Sequence, residues 1–446
     1  MAFGAVFYGG LLHWVPFTLD GIVPLGLLSG TLLLAILTGI GGLQGLALQK
    51  VLARTGPIVA LPLVWGGTEF LLAHAGPLAM PWTPMGLALA PAPRLAAPAE
   101  WVGVRGVGIW IAFVNGGAVL FLRRVLVESW TPLRAAPGLL VLLATVGGSA
   151  LWGAAREATL PVRATGSVLA TQFEIPRDEL LDREARDRAA RSALRRVVEA
   201  AEVGRAGHDI SFALLPEAPF GSSWEEGADE SFREAAAALN LVVLAGSHRR
   251  EGDALRNSVF LVHPQGDVRP VHDKVKLVPL AEWPGLEAGR GLGGLRVGGV
   301  TAGVLICSEA AFDREARRLA AGGAELLLHV TNDGWFRPRL FGLGSAAHSQ
   351  HRAHLVLRAV ESRVGAVRSA VGGELLLVSP AGRILHSRRP GTDHAQVLHP
   401  VTSTVTTGFV RVGDLSGWAC AILLLIAALG RRGVNPSSTT FWAGEG

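Results

Sequence analysis

One thiol in the polar part of the chain stands where chemistry could be done. Cys307 closes the apolar run Gly303-Val-Leu-Ile and is followed at once by Ser308 and Glu309, where a strand gives way to a helix. Strand ends that open into helix N-termini present nucleophiles and stabilise thiolates. The plain alternative is a buried structural cysteine. A thiolate that carries an acyl group needs a base for its proton, a cation or N–H donors for the oxyanion, and a dry pocket. Glu217 closes Phe212-Ala-Leu-Leu-Pro, Lys274 lies in His272-Asp-Lys-Val-Lys-Leu-Val-Pro279, and Glu282 follows eight residues later. Taken singly, each reads as easily as a solvated strand end, and Glu282 and Glu309 as structural ion pairs. Their order is the more specific signal: Glu, Lys, Cys, each at a strand edge of one α/β domain.

The elements that must position them are short apolar strands alternating with helical stretches. Strands are expected at Ser167–Phe173, Ile210–Leu215, Leu241–Gly246, Ser258–Val262, Gly303–Ile306, Leu326–Val330 and Glu374–Val378. Helices are expected at Pro176–Val203, Trp224–Leu239, Phe312–Ala321 and Ser345–Ser362. Most of the strands are apolar throughout, which suits a sheet covered by helices and buried on both faces. Pro264–Asp267 and Pro380–Arg383 read as hairpin turns.

Charge divides the chain. Of 41 basic and 36 acidic side chains, residues 1–155 hold only seven and four. A soluble domain carries roughly 25% charged residues, and the first third falls far short of that while the rest comes close. Long runs with little or no charge fill it: Phe3–Leu19, Gly21–Gln49, Gly56–Pro77, Gly106–Leu122 and Ala135–Ala155, with a sixth at Leu415–Gly430. A hydrocarbon core needs about 20 helical residues, and these segments are apolar all round rather than on one stripe. Six spans are therefore expected. Basic residues follow the second (Lys50, Arg54), the fourth (Arg123, Arg124, Arg134) and the sixth (Arg431, Arg432), so both termini are expected in the cytoplasm. This divides the chain into a five-span bundle (1–155), an outer catalytic domain (156–414), a C-terminal span (415–432) and a cytoplasmic tail (433–446).

The Pro-rich segment Gly76–Arg105 is expected at the outer interface, and Glu69 is either a functional intramembrane carboxylate or a polar contact. No cleavable signal peptide is expected. The net charge of +5 falls mostly in the apolar third, without a basic run interleaved with aromatics, so nucleic acid is not expected as a partner. Two cysteines, Cys307 and Cys420, leave no disulfide framework.

The Glu-Lys-Cys order resembles the nitrilase superfamily, which implies an α-β-β-α sandwich. With the bundle before the sandwich and a span after it, the whole chain resembles the bacterial apolipoprotein N-acyltransferase family. The resemblance rests on Leu-Pro-Glu217, Lys274-x-x-Leu-Val-Pro279, Ala-Glu282, Ile-Cys307-x-Glu309, Asn332-Asp-Gly-Trp-Phe336, Gln350-His351, Arg358-Ala-x-Glu361 and Arg368-Ser. In the bundle it rests on Phe7-Tyr-Gly-Gly-x-x-His-Trp14, Trp65-x-x-x-Glu69-Phe and Pro81-Trp82. It implies Cys307 as nucleophile, Glu217 as general base, and Lys274 with the Ser308 N–H as oxyanion donors. Glu282 would orient Lys274, and Glu309 would brace the nucleophile from behind.

The implied reaction moves an acyl chain from a membrane phospholipid, through a Cys307 thioester, to the α-amino group of a lipoprotein's S-diacylglyceryl N-terminal cysteine. No metal or cofactor is implied, and a monomer in the bacterial inner membrane is expected. Trp283, Trp335 and Phe336, with Glu69, are candidate lipid contacts. Departures from the family pattern lie at Leu215, at Ser308, at Leu180 and Leu181, and at Ala370-Val-Gly-Gly373. They alter the acyl and lipoprotein pocket and leave the triad intact. The chain also begins a pair of spans later than the family pattern, which implies a shortened N-terminus or a misplaced start. The competing readings are a membrane-tethered amidase of the same superfamily and a catalytically weak lipoprotein-binding relative.

Overall fold

The computed structural model describes residues 2–429 except 21, 24, 205–206, 279–281, 283–284, 292 and 337–344. Each apolar run of the first third is helical. Helices α1 (Ala2–Leu12), α2 (Val15–Leu19), α3 (Gly26–Thr55), α4 (Pro57–Ala73), α5 (Ala99–Leu126) and α6 (Pro132–Thr159) form an apolar bundle, which α13 (Leu415–Leu429) joins. Three stretches are long and apolar enough to cross a membrane: Gly26–Thr55, Ala99–Leu126 and Leu133–Thr159. Ala2–Leu12, Pro57–Ala73 and Leu415–Leu429 are shorter apolar helices. Residues 430–446, including Arg431, Arg432 and the expected tail, lie outside the described residues.

Most boundaries shift by a few residues, and two differences change the elements themselves. The run Phe3–Leu19 is not one helix but breaks at His13-Trp14. Pro16 has no N–H to carry the first helix onward and instead opens the second, and the Trp14 indole takes up a freed carbonyl, donating to Leu11 O (3.1 Å). Helix α5 begins at Ala99 rather than Gly106, with a kink where Gly103 takes φ +70°. Helix α13 lies against α4 at Gly66 and Gly67, where a side chain would meet Ile109, Cys420 and Leu424. Lys50 Nζ donates to Ala428 O (2.7 Å) and Arg54 to Ala427 O (3.4 Å), so the basic end of α3 meets the C-terminal end of α13.

The polar region is a four-layer sandwich. Its strands are β1 (Arg163–Ala164), β2 (Ser167–Phe173), β3 (Ile210–Leu214), β4 (Val243–Glu251), β5 (Ala254–Val262), β6 (Val268–Asp273), β7 (Leu295–Val297), β8 (Val300–Ile306), β9 (Leu326–Asn332), β10 (Gly365–Val371), β11 (Leu375–Val378), β12 (Ile384–Arg388), β13 (His394–Leu398) and β14 (Val401–Thr402). Its helices are α7 (Arg177–Leu181), α8 (Arg183–Gly204), α9 (Ala228–Leu239), α10 (Asp313–Ala321), α11 (Ser345–Ser362) and α12 (Gly408–Val412). The main sheet runs β6-β5-β4-β3-β2-β10-β9-β8-β7, with β11 and β12 continuing beside β10, and β13 beside β2.

Period-two alternation builds the layers. Val168, Ala170, Leu326, Leu328 and Val330 face an inner core shared by the two halves of the sheet. Leu169 faces α8 and α9 on one side, and Leu327 and Leu305 face α10 and α11 on the other. The outer core on the α10–α11 side also takes in Leu87, Ala90, Ala96 and Val104, so the bundle's connecting segment is built into the sandwich's own packing. The helix expected at Pro176–Val203 is split at Asp182, whose side chain accepts from Ala185 N (2.7 Å) and starts α8 afresh. The expected hairpins at 264–267 and 380–383 join antiparallel partners β5–β6 and β11–β12.

Candidate active site

Glu217, Lys274 and Cys307 converge at the C-terminal edge of the sheet. Glu217 follows β3, Lys274 follows β6, and Cys307 follows β8. Lys274 Nζ sits 3.1 Å from Glu217 Oε1 and 2.8 Å from Glu282 Oε1, and both Lys274 and Glu217 are buried. Burial works against the charge of Lys274, but Glu217, Glu282 and Cys307 outweigh it and hold the ammonium well above the ordinary lysine range. Glu217 accepts two further bonds, from Asn257 Nδ2 (2.8 Å) on Oε1 and from the Asn332 N–H (2.8 Å) on Oε2. Strand β4 reaches Glu217 only because residue 246 is glycine: a Cβ there would stand 2.7 Å from Glu217 Cα.

Cys307 opens the short 3-10 turn Cys307–Ala311 with φ +50°, a left-handed conformation that a non-glycine residue adopts at a cost of roughly 1–3 kcal/mol. The strain turns the backbone sharply out of β8. Burial, with the Glu217 charge beside it, pushes the Cys307 thiol up, and Lys274 pulls the other way. The resting thiol is therefore protonated and needs a base to become a nucleophile. Ser308 is buried, with its hydroxyl on Lys276 O (3.2 Å). Its backbone N–H lies in the first turn, where no acceptor exists within the helix.

Glu309 is fully buried behind the thiol. It accepts from His272 Nε2 (2.9 Å), Ile306 N (2.8 Å) and Val275 N (2.6 Å), tying the strand before Cys307 to the segment that carries Lys274. Burial would raise its pKa, but His272 and these N–H groups hold it below the ordinary range. Glu282 reaches back to Val278 N (2.9 Å) as well as to Lys274.

The other candidates are placed in protein contacts. Trp335 packs against the outer core beside α8, with the Arg186 guanidinium 5.6 Å from its ring. Phe336 joins Trp14 (5.3 Å) and Trp82 (6.0 Å) between bundle and sandwich. Glu69 is buried, accepting from Trp65 Nε1 and Met85 N at 2.6 Å each, and so fastens α4 to the Pro-rich connection. Trp283 lies outside the described residues.

Residues to which sequence reasoning gave no role surround Cys307. Asn257 and Asn332 hold Glu217. The Cys307 carbonyl accepts from two imidazoles, His329 Nε2 (3.0 Å) and His351 Nε2 (3.1 Å). Asp333 anchors His351 Nδ1 (2.9 Å) and bonds Arg368 and Thr331. Arg368 and His351 overcome burial to keep Asp333 well below the carboxylate range. Gln350-His351, Asn332-Asp and Arg368-Ser were visible as motifs, but their partners were not.

Both halves of the chain are similar to known proteins. Residues 1–117 match the model of the apolipoprotein N-acyltransferase N-terminal domain, and residues 206–393 match that of carbon-nitrogen hydrolases. An apolipoprotein N-acyltransferase of Geobacter metallireducens is 27% identical over 96% of this chain and 86% of its own. One from Parasynechococcus marenigrum is 29% identical over 80% of this chain and 74% of its own. Among solved structures, a carbon-nitrogen hydrolase from Helicobacter pylori aligns with 60% of this chain and 95% of its own, at a TM-score of 0.43 and 13% identity. With both halves matched in the order found here, the chain belongs to the apolipoprotein N-acyltransferase family, membrane acyltransferases whose catalytic half is a nitrilase-superfamily sandwich.

Proposed function

We propose that Cys307 takes an acyl chain from a phospholipid and passes it to the α-amino group of a lipoprotein's S-diacylglyceryl N-terminal cysteine, on the outer face of the bacterial inner membrane. The observation that carries this reading is the buried Lys274 ammonium, held between Glu217 and Glu282 beside a strained thiol.

Glu217 takes the Cys307 proton as sulfur attacks the ester carbonyl. The tetrahedral oxyanion forms between Lys274 and the Ser308 N–H, donors already in place that need no reorganisation. Collapse expels the lysophospholipid oxygen, which takes the proton from Glu217, and leaves a thioester. The lipoprotein amine then attacks the thioester and gives its proton to Glu217. The second collapse breaks the C–S bond and returns the thiol. Residues 1–155 and 415–432 serve as the membrane platform, and 156–414 as the catalytic domain. Both substrates are lipids, so a thiol beside an apolar bundle meets them without leaving the bilayer surface, and excluding water protects the thioester.

Intact-protein mass spectrometry after incubation with phosphatidylethanolamine vesicles tests this. We expect an added acyl mass that is absent in Cys307→Ala and is discharged by a diacylated lipopeptide faster than by water. Discharge by water at the same rate would make the protein a hydrolase of the amidase kind, and an acylated Cys307→Ala would overturn the mechanism.

A further inference from the structure

We propose that His329 and His351 are positioning residues that aim the oxyanion N–H of Ser308, and that Gln350 ties this setting to the apolar bundle. The inference deepens the acyl-transfer reading and rests on Cys307 being its nucleophile. The Cys307 carbonyl and the Ser308 N–H belong to one peptide unit. That unit is planar and trans, so its C=O and N–H point in opposite directions. A carbonyl has two lone pairs, and the two Nε2 donors at 3.0 and 3.1 Å occupy both. The peptide plane cannot rotate without breaking both bonds. The N–H on its far edge is therefore fixed in direction before any substrate arrives, and polarisation through the peptide makes it a better donor.

The two histidines are held differently. His329 is on β9, inside the sandwich. His351 is on α11, completely buried, and its other nitrogen is locked on Asp333. Its neighbour Gln350 is bonded to the bundle by both ends of its amide. Oε1 accepts from Trp14 Nε1 (3.1 Å) and Trp82 Nε1 (2.8 Å), and Nε2 donates to Leu11 O (2.8 Å). Trp14 stands at the break between α1 and α2, and Trp82 lies in the Pro-rich connection. The Trp82 ring also packs against His351 at 5.5 Å. Successive helical residues point about 100° apart, so a single turn of α11 faces the bundle with Gln350 and the nucleophile with His351. The break in the first apolar run and the Pro81-Trp82 corner thereby acquire a purpose. They present two indole N–H groups to one side-chain amide.

Two reactions of the same thiol separate aiming from mere structural support. Alkylation by iodoacetamide is a displacement at a saturated carbon and forms no oxyanion, whereas acylation by p-nitrophenyl butyrate must form one. With full-length protein in nanodiscs, His351→Leu is expected to slow the p-nitrophenolate burst by about 10²-fold, the cost of a lost oxyanion donor. Alkylation of Cys307, read by peptide mass spectrometry against Cys420, should stay within about twofold. His351→Gln keeps an N–H donor near the Nε2 position and should restore most of the burst. Gln350→Leu and Trp82→Phe should each slow the burst by about tenfold, and no further in combination, since they cut one link. Burst and alkylation falling together, a full burst in His351→Leu, or a wild-type protein alkylated at Cys307 without any burst would each overturn the proposal. Because the ester probe is not a phospholipid, a normal burst without acyl transfer from phosphatidylethanolamine would instead fault the substrate reading alone.

Discussion

Glu217 adjoins a left-handed residue and Cys307 is itself left-handed, and the two turns are held in different ways. After Glu217, Ala218 has φ +32°, and the carbonyls of Ala218 and Pro219 are gripped by Arg186, a buried residue of α8. The group that grips this turn, the Arg186 guanidinium, belongs to the sandwich. At Cys307 the carbonyl is gripped by His329 and His351, and the residue before His351 is bonded to two tryptophans of the bundle. In the proposed mechanism, the turn beside Glu217 is thus gripped directly by the sandwich, while the peptide after Cys307 is gripped by a sandwich strand and by a helix bonded to the bundle. A thiol that acts on lipids gains from this division. In that reading, the setting of the Ser308 N–H depends on contacts from both bundle and sandwich.

The comparison can be broken from either side. The largest effects should come from the reacting groups: Glu217→Gln and Cys307→Ser are each expected to cost acyl transfer about 10³-fold or more, measured as lipopeptide acylation. Next comes the base's own turn. Gly246→Ala would place a Cβ 2.7 Å from Glu217 Cα and 2.8 Å from Ala218 N, and a displaced base should cost roughly 10²-fold. In this variant alkylation and acylation should fall together, unlike the histidine variants, because the thiol loses its proton acceptor. Equal responses at residues 246 and 351 would erase the distinction between the turns.

The smallest effect concerns pH. Glu309 and Asp333 have depressed pKa values, so the stability they contribute is complete above the ordinary carboxylate pKa and is lost as pH falls through their folded values. Glu361, buried against Arg358 and accepting from Val104 N (2.5 Å), is raised to about 7 by burial. Its contribution is complete below the ordinary glutamate value and is lost as pH rises through about 7. Thermal unfolding in detergent should therefore show highest stability in mildly acid solution. Glu361→Gln should flatten the alkaline limb and leave the acid limb in place. An unchanged alkaline limb would remove Glu361 from the account.

What the sequence made legible follows from how local the signal was. Strand β2 is found at Ser167–Phe173 as expected, because an apolar run with a polar boundary needs no distant partner. Strand β10 was not anticipated: Arg368 and Ser369 interrupt its apolar pattern. Both are buried, with Arg368 on Asp333 and Ser369 on Thr171, contacts that sequence spacing cannot reveal. Strand β6 was missed for a related reason. It is an outer strand of the main sheet carrying Pro270, which a central strand would not tolerate. In the site, Glu217, Lys274, Cys307 and their supporting carboxylates could be named because their local sequences carry the resemblance. Asn257, His329 and Arg186 could not, since each acts on a residue brought near only by folding.

The packing of α13 on Gly66 and Gly67 has one more consequence. The final described helix completes a bundle begun by the first, with Cys420 Sγ near Pro62 O (3.8 Å) and Lys50 reaching Ala428. In chain order the sandwich is thus an insertion within the helical bundle rather than an appendage to it. Because α13 follows the sandwich in the chain, it can cover α4 at Gly66 and Gly67 only after residues 156–414 have been made. A chain truncated anywhere within the sandwich would lack α13 and leave α4 without this packing partner, so the bundle is complete only when the sandwich has been made in full.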